Sequence, residues 1–207
     1  MAFARSTTLP AISGWPADFP YLLEYEWAPT IQSDIRQRYV GWCAFADEDE
    51  IDRKSVSRSE GHLCVREITD QGHPARGEGG LFAARQIKQF QFIVDYVGVI
   101  RLTSEIPANL TYTLSFHGNL SVDASIRGNE GRFINDWHGI ASRPNAAFDT
   151  YRDVETGQVR VGAFSLNRTI EPGEEIVVPY GAEFWGAKGD TRAWDPSWDE
   201  GEEEAFS

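Results

Sequence analysis

The chain has few cysteines and no long hydrophobic run. Its 207 residues include only two cysteines, Cys43 and Cys64. Because their wide separation matches neither a disulfide framework nor a zinc knuckle, we expect a reducing compartment. His62, Cys64 and His73 do not have the spacing of a common zinc pattern, so we expect no metal site. Segment 1–20 is broken by prolines and lacks the apolar run of a signal peptide or membrane span, which predicts a protein that is neither secreted nor membrane-bound.

Basic residues are scarce as well. Lys and Arg together number 19, against 32 Asp and Glu, and the formal net charge is −13. Clustered positive charge is needed to displace counterions from phosphates, so this balance argues against direct binding to nucleic acid. It favours a basic protein or peptide as the partner. A simpler interpretation is that the excess carboxylate only keeps the protein soluble. No nuclear import cluster is visible, so nucleus and cytoplasm both stay open, as does the oligomeric state.

The length and composition predict one main domain. Hydrophobic residues make up 41% of the chain and aromatic residues 13%, enough to bury one core with a small appendage. We divide the chain into an N-terminal extension at 1–60 that packs on the core, a central domain at 61–186 and an acidic tail at 187–207. The last residues of that tail are expected to be disordered because they are terminal and highly charged.

Two features stand out in the N-terminal extension. Ile31, Ile35 and Tyr39 recur every four residues, which predicts a short helix within 31–40. The charged stretch 47–60 (DEDEIDRKSVSRSE) has almost no apolar periodicity. It therefore predicts a solvated loop or a mobile linker before the central domain.

The central domain consists of short segments typical of β-strands, separated by glycine and proline. The alternation of Val159, Val161 and Ala163 predicts small, half-buried sheets. No long helix and no βαβ rhythm is present, which argues against a Rossmann-type cofactor domain. The expected fold class is therefore mainly β with few short helices. The predicted strands are 63–68, 91–100, 110–116, 120–124, 159–164 and 174–178.

Four motifs follow one another in the central domain. They are 77–87 (GEGGLFAARQI), 95–98 (DYVG), 128–145 (GNEGRFINDWHGIASRPN) and 173–185 (GEEIVVPYGAEFW). Their order and spacing resemble the core of the SET-domain protein lysine methyltransferase family, and their collinearity is more specific than any single motif. The resemblance implies the SET-domain fold, a β-clip of small sheets with a pseudoknot. It also implies S-adenosyl-L-methionine as the cofactor.

The first motif resembles the family's glycine-rich turn, whose backbone lies against the cofactor. Glycine suits this place because the missing Cβ lets the main chain approach a ligand closely. The motif here has one glycine more than the usual pattern. The resemblance implies cofactor contacts at Glu78, Gly79, Gly80 and Leu81.

The third motif places Asn135 where the family contacts the amino-acid end of the cofactor with a side chain and the adenine with its backbone. An amide supplies two donors and an acceptor, which suits a zwitterion. Asp136 follows, where the family commonly has His, and we include it among the cofactor-binding residues. Asn145 comes ten positions after Asn135, wider than the usual spacing, which predicts an inserted loop at 137–142 near the active site.

The second and fourth motifs supply the implied catalytic residues. Tyr180 matches the family's active-site tyrosine, and Tyr96 matches a tyrosine that lines the methyl-transfer pore. The family threads its C-terminal segment beneath the loop that carries the asparagine motif, an exception to the rule against knotted chains. That threading would bring Asn135 and Tyr180 together. Val178 and Phe184 are implied to line the substrate channel.

Trp185 completes the implied site, as an aromatic residue that closes over the adenine. The leading hypothesis is an S-adenosylmethionine-dependent methyltransferase that acts on lysine side chains of a protein, with a histone tail as the default substrate. The alternative is a SET-like module that binds peptides but has lost turnover. Departures from the family pattern at Arg127, Asp136, Val178 and Pro179 favour this alternative. An unrelated β-rich interaction domain would require four accidental matches in order.

Overall fold

The computed structural model describes residues 12–41, 51–57, 61–107 and 110–181. These residues form twelve strands, one short α-helix, α1 at Ser33–Gln37, and two 3₁₀ turns at Thr103–Glu105 and Glu130–Phe133. This confirms the prediction of a mainly β protein with few short helices. The strands are β1 Glu26–Trp27, β2 Asp52–Lys54, β3 Leu63–Glu67, β4 Gly79–Ala83, β5 Phe92–Asp95, β6 Val99–Leu102, β7 Thr113–His117, β8 Leu120–Asp123, β9 Asn135–Asp136, β10 Ala146–Asp153, β11 Val159–Ser165 and β12 Val177–Val178.

The strands form four small sheets. Two have four strands, in the orders β1-β6-β8-β7 and β2-β10-β11-β5. Two have only two strands, the antiparallel pair β3-β4 and the parallel pair β9-β12. No helix in the described part of the chain is long and apolar enough to cross a membrane.

Strand β11 is buried on both faces, so the prediction of a half-buried sheet is wrong at this position. All seven of its residues are buried. Val159 and Val161 pack in one apolar cluster with Tyr96 and Ile100, whereas Ala163 packs in another. The strand lies between β10 and β5 in the middle of its sheet, and both of its faces are covered.

The apolar segment 91–100 predicts one strand but forms two, in different sheets. The break falls at Tyr96, Val97 and Gly98. A Cβ added at Gly98 would lie 2.5 Å from the carbonyl oxygen of Asp123, so the main chains approach too closely there for a side chain. Tyr96 therefore lies in the connection between strands of two different sheets.

The charged linker also differs from its prediction. Residues Asp52–Lys54 form β2, which pairs in parallel with β10 through Tyr151, Arg152 and Asp153. Main-chain hydrogen bonds of an edge strand need no apolar periodicity, so the composition gave no sign of it. The remaining described residues of the stretch have no regular structure, and 47–50 and 58–60 lie outside the described residues.

The N-terminal segment 12–41 contacts the central sheets at several points. Strand β1 pairs with β6 through Glu26 and Val99. Glu24 accepts two hydrogen bonds from the guanidinium of Arg160, at 2.8 and 3.0 Å. The packing of this segment as an extension on the core, and the division at residue 60, remain proposals.

A partly buried carboxyl, that of Glu130, joins the same segment to the third motif. The Tyr21 hydroxyl donates a 2.6 Å hydrogen bond to Glu130. Burial raises the pKa of Glu130 above its ordinary value of 4.5, and the Tyr21 hydrogen bond opposes only part of that shift. The folded protein therefore holds this proton more tightly than the unfolded chain does.

We predict that Glu130→Gln changes how stability depends on pH. The contribution of Glu130 is fully present below about pH 4.5 and is lost as pH rises through the folded-state pKa. Wild-type stability should therefore fall relative to the variant across that interval, by at most about 1.4 kcal/mol per pH unit. Urea unfolding of both proteins at several pH values measures the difference. Parallel pH profiles would contradict the prediction.

Candidate active site

The site is built around the pairing of β9 with β12. Val177 lies opposite Asn135, and Val178 lies opposite Asp136. This pairing joins segments that are far apart in the chain, because the third motif contributes one strand and the fourth motif the other. The structure therefore brings Asn135 and the segment that carries Tyr180 together, as the sequence predicts.

Both ends of Tyr180 are held by the asparagine motif. Its backbone N–H donates to the Asp136 carboxylate at 2.7 Å, and its hydroxyl donates to the carbonyl oxygen of Ile134 at 2.7 Å. Because the hydroxyl proton points at a carbonyl, the phenolic oxygen faces its other surroundings as an acceptor. The side chain of Asp136 thus positions the main chain of Tyr180.

Tyr96 is the second phenol of the site and is buried. Burial raises its pKa well above the ordinary value of about 10, and nearby Tyr180 raises it further. Burial likewise raises the pKa of Tyr180, with Asp136 the largest of several neighbours that add to the effect. Both phenols therefore stay protonated at neutral pH.

The Asn135 side chain makes two hydrogen bonds. Its Nδ2 donates to Oε1 of Glu175 at 2.9 Å and to the carbonyl oxygen of Gly79 at 3.3 Å. A carboxylate and a carbonyl accept but cannot donate, so the nitrogen of the amide must face both of them. Both donors of the amide are thereby used inside the protein, and its oxygen points elsewhere.

Glu175 in turn is held by a histidine. Its Oε2 lies 3.0 Å from Nε2 of His73, and both side chains are about nine-tenths buried. The backbone N–H of Ala75 donates to Nδ1 of the same ring at 3.1 Å. Since Nδ1 accepts, the proton of the neutral ring must lie on Nε2, where it is donated to Glu175.

The glycines of the first motif lie against protein side chains, and the predicted contact of Glu78, Gly79, Gly80 and Leu81 with the cofactor remains a prediction. A Cβ at Gly79 would lie 2.6 Å from the ring of Phe133, and one at Gly80 would lie 2.8 Å from Oε1 of Glu175. Protein side chains therefore occupy the space that a Cβ would need. Leu81 has no exposed surface and packs in the core. Glu78, in contrast, is exposed and accepts a 3.4 Å hydrogen bond from the Tyr112 hydroxyl.

The inserted loop lies beside the paired strands. The backbone N–H of Trp137 donates to the carbonyl oxygen of Val178 at 3.1 Å. The centre of the Trp137 ring lies 4.0 Å from that of His138. The His138 ring and backbone both contact the Asp136 carboxylate. A Cβ on Gly139 would lie 2.8 Å from Pro74, so the loop packs against the segment that carries His73.

Four of the remaining residues that the sequence singled out have different outcomes. Val178 is completely buried in the core, and its role in a substrate channel remains a prediction. Phe184 and Trp185 lie outside the described residues. Arg127, one of the departures from the family pattern, pairs with Glu26 at 2.7 Å, and the two side chains are 34% and 46% exposed.

Sequence reasoning missed His73 and Glu175. Glu175 stands in the fourth motif beside an identical residue, Glu174, and nothing local distinguishes the two. His73 stands just ahead of the first motif and was considered only as a metal ligand. Across the described ranges, no group of three or more His, Cys, Asp or Glu side chains is arranged to hold a metal ion.

Comparison with known proteins agrees with this architecture. The SET domain family model matches residues 79–181. Histone-lysine N-methyltransferase ASHH1 of Arabidopsis thaliana is 31% identical over 117 residues, which are 52% of this chain and 22% of that protein. The H3 lysine-36 specific histone-lysine N-methyltransferase of Aspergillus oryzae is 33% identical over 118 residues, 52% of this chain and 12% of that protein. The chain thus spans less than a quarter of the length of these relatives.

A solved structure shows the same fold. The crystal structure of Kryptonite in complex with mCHH DNA, an H3(1-15) peptide and SAH matches with a TM-score of 0.55. The match covers 79% of this chain and 41% of that one, at 16% sequence identity. The chain belongs to the SET-domain family, and its mainly β architecture is a SET-domain fold.

Proposed function

We propose that the protein is an S-adenosylmethionine-dependent methyltransferase that acts on lysine side chains of a protein substrate. One observation carries the proposal. The parallel pairing of β9 with β12 holds Tyr180 against the segment 134–136 of the asparagine motif. The relatives named histone-lysine N-methyltransferases support the same activity.

The residues around Asn135 fit the proposed cofactor. S-adenosylmethionine carries an ammonium and a sulfonium against one carboxylate, so it presents more positive than negative charge. The oxygen of the Asn135 amide is an acceptor, and its two N–H donors are taken by Glu175 and the carbonyl of Gly79. An amide that offers only an acceptor favours the ammonium end of the ligand over its carboxylate. When bound, the cofactor supplies a methyl group activated by the positive sulfonium.

The substrate lysine must be neutral to attack. With a reference pKa of about 10.4, removing its proton at pH 7 costs about 4.6 kcal/mol. A poorly solvated channel lowers that cost because burial disfavours the ammonium form. Tyr180 is not the base, because burial keeps it protonated at neutral pH. Its oxygen accepts a hydrogen bond from the amine, which orients the amine lone pair, and positioning supplies most of the acceleration.

A basic peptide is the proposed substrate class. The net charge of −13 complements a lysine-rich partner and disfavours direct contact with nucleic acid. A histone tail is the first candidate, because the relatives are named for histones and the Kryptonite complex contains an H3 peptide. A histone substrate would place the protein in the nucleus.

The direct test is transfer of an isotopically heavy methyl group. We expect that incubation of the purified protein with heavy-methyl S-adenosylmethionine and core histones yields methylated lysine, detected by mass spectrometry of the digested histones. Parallel calorimetry measures binding of the cofactor and of a histone H3 tail peptide. Binding of the peptide without product would favour a SET-like module that has lost turnover. Absence of cofactor binding would overturn the proposal.

A further inference from the structure

A chain of hydrogen bonds runs from the segment before the first motif to the amide of Asn135. It begins at the backbone N–H of Ala75, which donates to Nδ1 of His73 at 3.1 Å. It continues from Nε2 of His73 to Oε2 of Glu175 at 3.0 Å. It ends where Nδ2 of Asn135 donates to Oε1 of Glu175 at 2.9 Å. The direction of each hydrogen bond is fixed. The Ala75 N–H can only donate, so Nδ1 of His73 accepts and Nε2 carries the proton, and the carboxylate oxygens of Glu175 can only accept.

The carboxylate of Glu175 therefore has one oxygen for each partner. One oxygen accepts from His73 and the other accepts from Asn135. The His73 side chain is 10% exposed and that of Glu175 9% exposed, so both interactions are largely shielded from water. A hydrogen bond to a buried carboxylate is charge-assisted and stronger than one between neutral groups. This arrangement fixes the position of Glu175 and hence the plane of the Asn135 amide.

The same hydrogen bonds fix the orientation of the Asn135 amide oxygen. An asparagine side chain has two orientations that differ by exchange of its oxygen and nitrogen. Glu175 and the carbonyl of Gly79 both accept from the nitrogen, so only one orientation satisfies them. The amide oxygen is then directed away from Glu175. It can accept a hydrogen bond from an ammonium group, but the amide has no donor left for a carboxylate.

We infer that His73 and Glu175 are positioning residues that hold the Asn135 amide with its oxygen toward the ammonium group of the bound cofactor. This inference rests on the proposed function, because it assigns the ligand of Asn135 from that proposal. His73 acts through Glu175. Its removal frees Glu175 to rotate, so that the orientation of the amide depends only on its longer hydrogen bond to the carbonyl of Gly79.

Two probes separate this positioning role from a general effect on folding. S-adenosylhomocysteine has the amino-acid end, whereas 5′-methylthioadenosine has the adenosine but not the amino-acid end. Calorimetry should show that His73→Leu weakens S-adenosylhomocysteine binding by about tenfold, which corresponds to the loss of one buried hydrogen bond. Binding of 5′-methylthioadenosine should change by less than about twofold, because no contact to the amino-acid end contributes to it.

Two further variants keep the test decisive if His73→Leu folds poorly. His73→Gln places an amide N–H near the position of Nε2, and we expect it to retain S-adenosylhomocysteine affinity within about threefold of wild type. Glu175→Gln presents an amide donor that competes with the Asn135 donor. We expect a loss of about tenfold or more for S-adenosylhomocysteine, again without a matching loss for 5′-methylthioadenosine.

The outcomes distinguish the inference from the proposed function. If wild type binds S-adenosylhomocysteine and the variants weaken both probes equally, His73 and Glu175 only support the fold, and the inference is wrong. Unchanged binding of both probes in His73→Leu and Glu175→Gln would overturn it as well. If wild type binds neither probe, the proposed function fails first and the inference with it.

Discussion

Tyr180→Phe should lower the rate constant for methyl transfer by about 100-fold, the size of effect expected when a reacting group loses its positioning contact. The substitution removes only the hydroxyl, so the ring can keep its packing against the core. What is lost is the oxygen proposed to accept from the substrate amine, together with the hydrogen bond to Ile134. Single-turnover kinetics with saturating cofactor and peptide measure the transfer step directly.

The binding constants should change little in the same variant. Asn135 and its partner Glu175 are untouched, so affinity for S-adenosylhomocysteine is expected within about threefold of wild type. Tyr39→Phe is a matched control. The Tyr39 hydroxyl contacts Nδ1 of His117 at 3.2 Å among the aromatic rings of Trp27 and Phe116. Its loss should lower stability by about 1 kcal/mol and leave the transfer rate unchanged. Equal rates for wild type and Tyr180→Phe would remove Tyr180 from the proposed mechanism.

The largest expected effect on stability belongs to Asp95→Ala. Asp95 is buried at the end of β5 and accepts hydrogen bonds from the Tyr151 hydroxyl at 2.7 Å and from Nε of Arg160 at 3.2 Å. The side chain of Arg160 is only 4% exposed. Removal of the carboxylate leaves this buried guanidinium without its inner partner and the buried Tyr151 hydroxyl without its acceptor. We expect a loss of about 3–5 kcal/mol in the free energy of unfolding.

Glu24→Ala supplies the control at the opposite end of the same guanidinium. The Glu24 side chain is 39% exposed, so water can replace much of its interaction with Arg160. Its removal should cost about 1 kcal/mol or less. Urea unfolding midpoints with an unchanged slope measure both losses. Similar losses in the two variants would show that burial of Asp95 does not increase its contribution to the free energy of unfolding.

The motifs were sufficient to predict the type of fold. Their order along the chain indicated a SET domain, and the periodicity of short segments indicated β-structure. Local patterns failed where neighbours in space decide the outcome. The eight-residue strand β10 was missed, and the apolar run 91–100 was predicted as one strand where there are two. Close approach of Gly98 to Asp123 separates those two strands, and no local sequence pattern shows a contact of that kind.

The sequence likewise predicted only part of the site. Asn135 and Tyr180 were predicted as neighbours from the resemblance alone, and the pairing of β9 with β12 brings their segments together. The roles of Asp136 and Glu175 were not foreseen. The side chain of Asp136 holds the backbone of Tyr180, and the predicted contact of Asp136 with the cofactor remains a prediction. Glu175 lies 40 residues from Asn135 in the chain and 102 from His73, so its partners depend on the path of the chain between them.

The sequence by itself determined the β-rich character, the acidic charge and the set of motifs that make this chain a SET domain, because periodicity, composition and motif order are properties of the linear chain. Tertiary structure alone decided which atom of the Asn135 amide binds within the protein and which residues hold Tyr180 in place. Those properties arise from hydrogen bonds between distant segments, where each buried donor and acceptor must find a partner once the chain has folded.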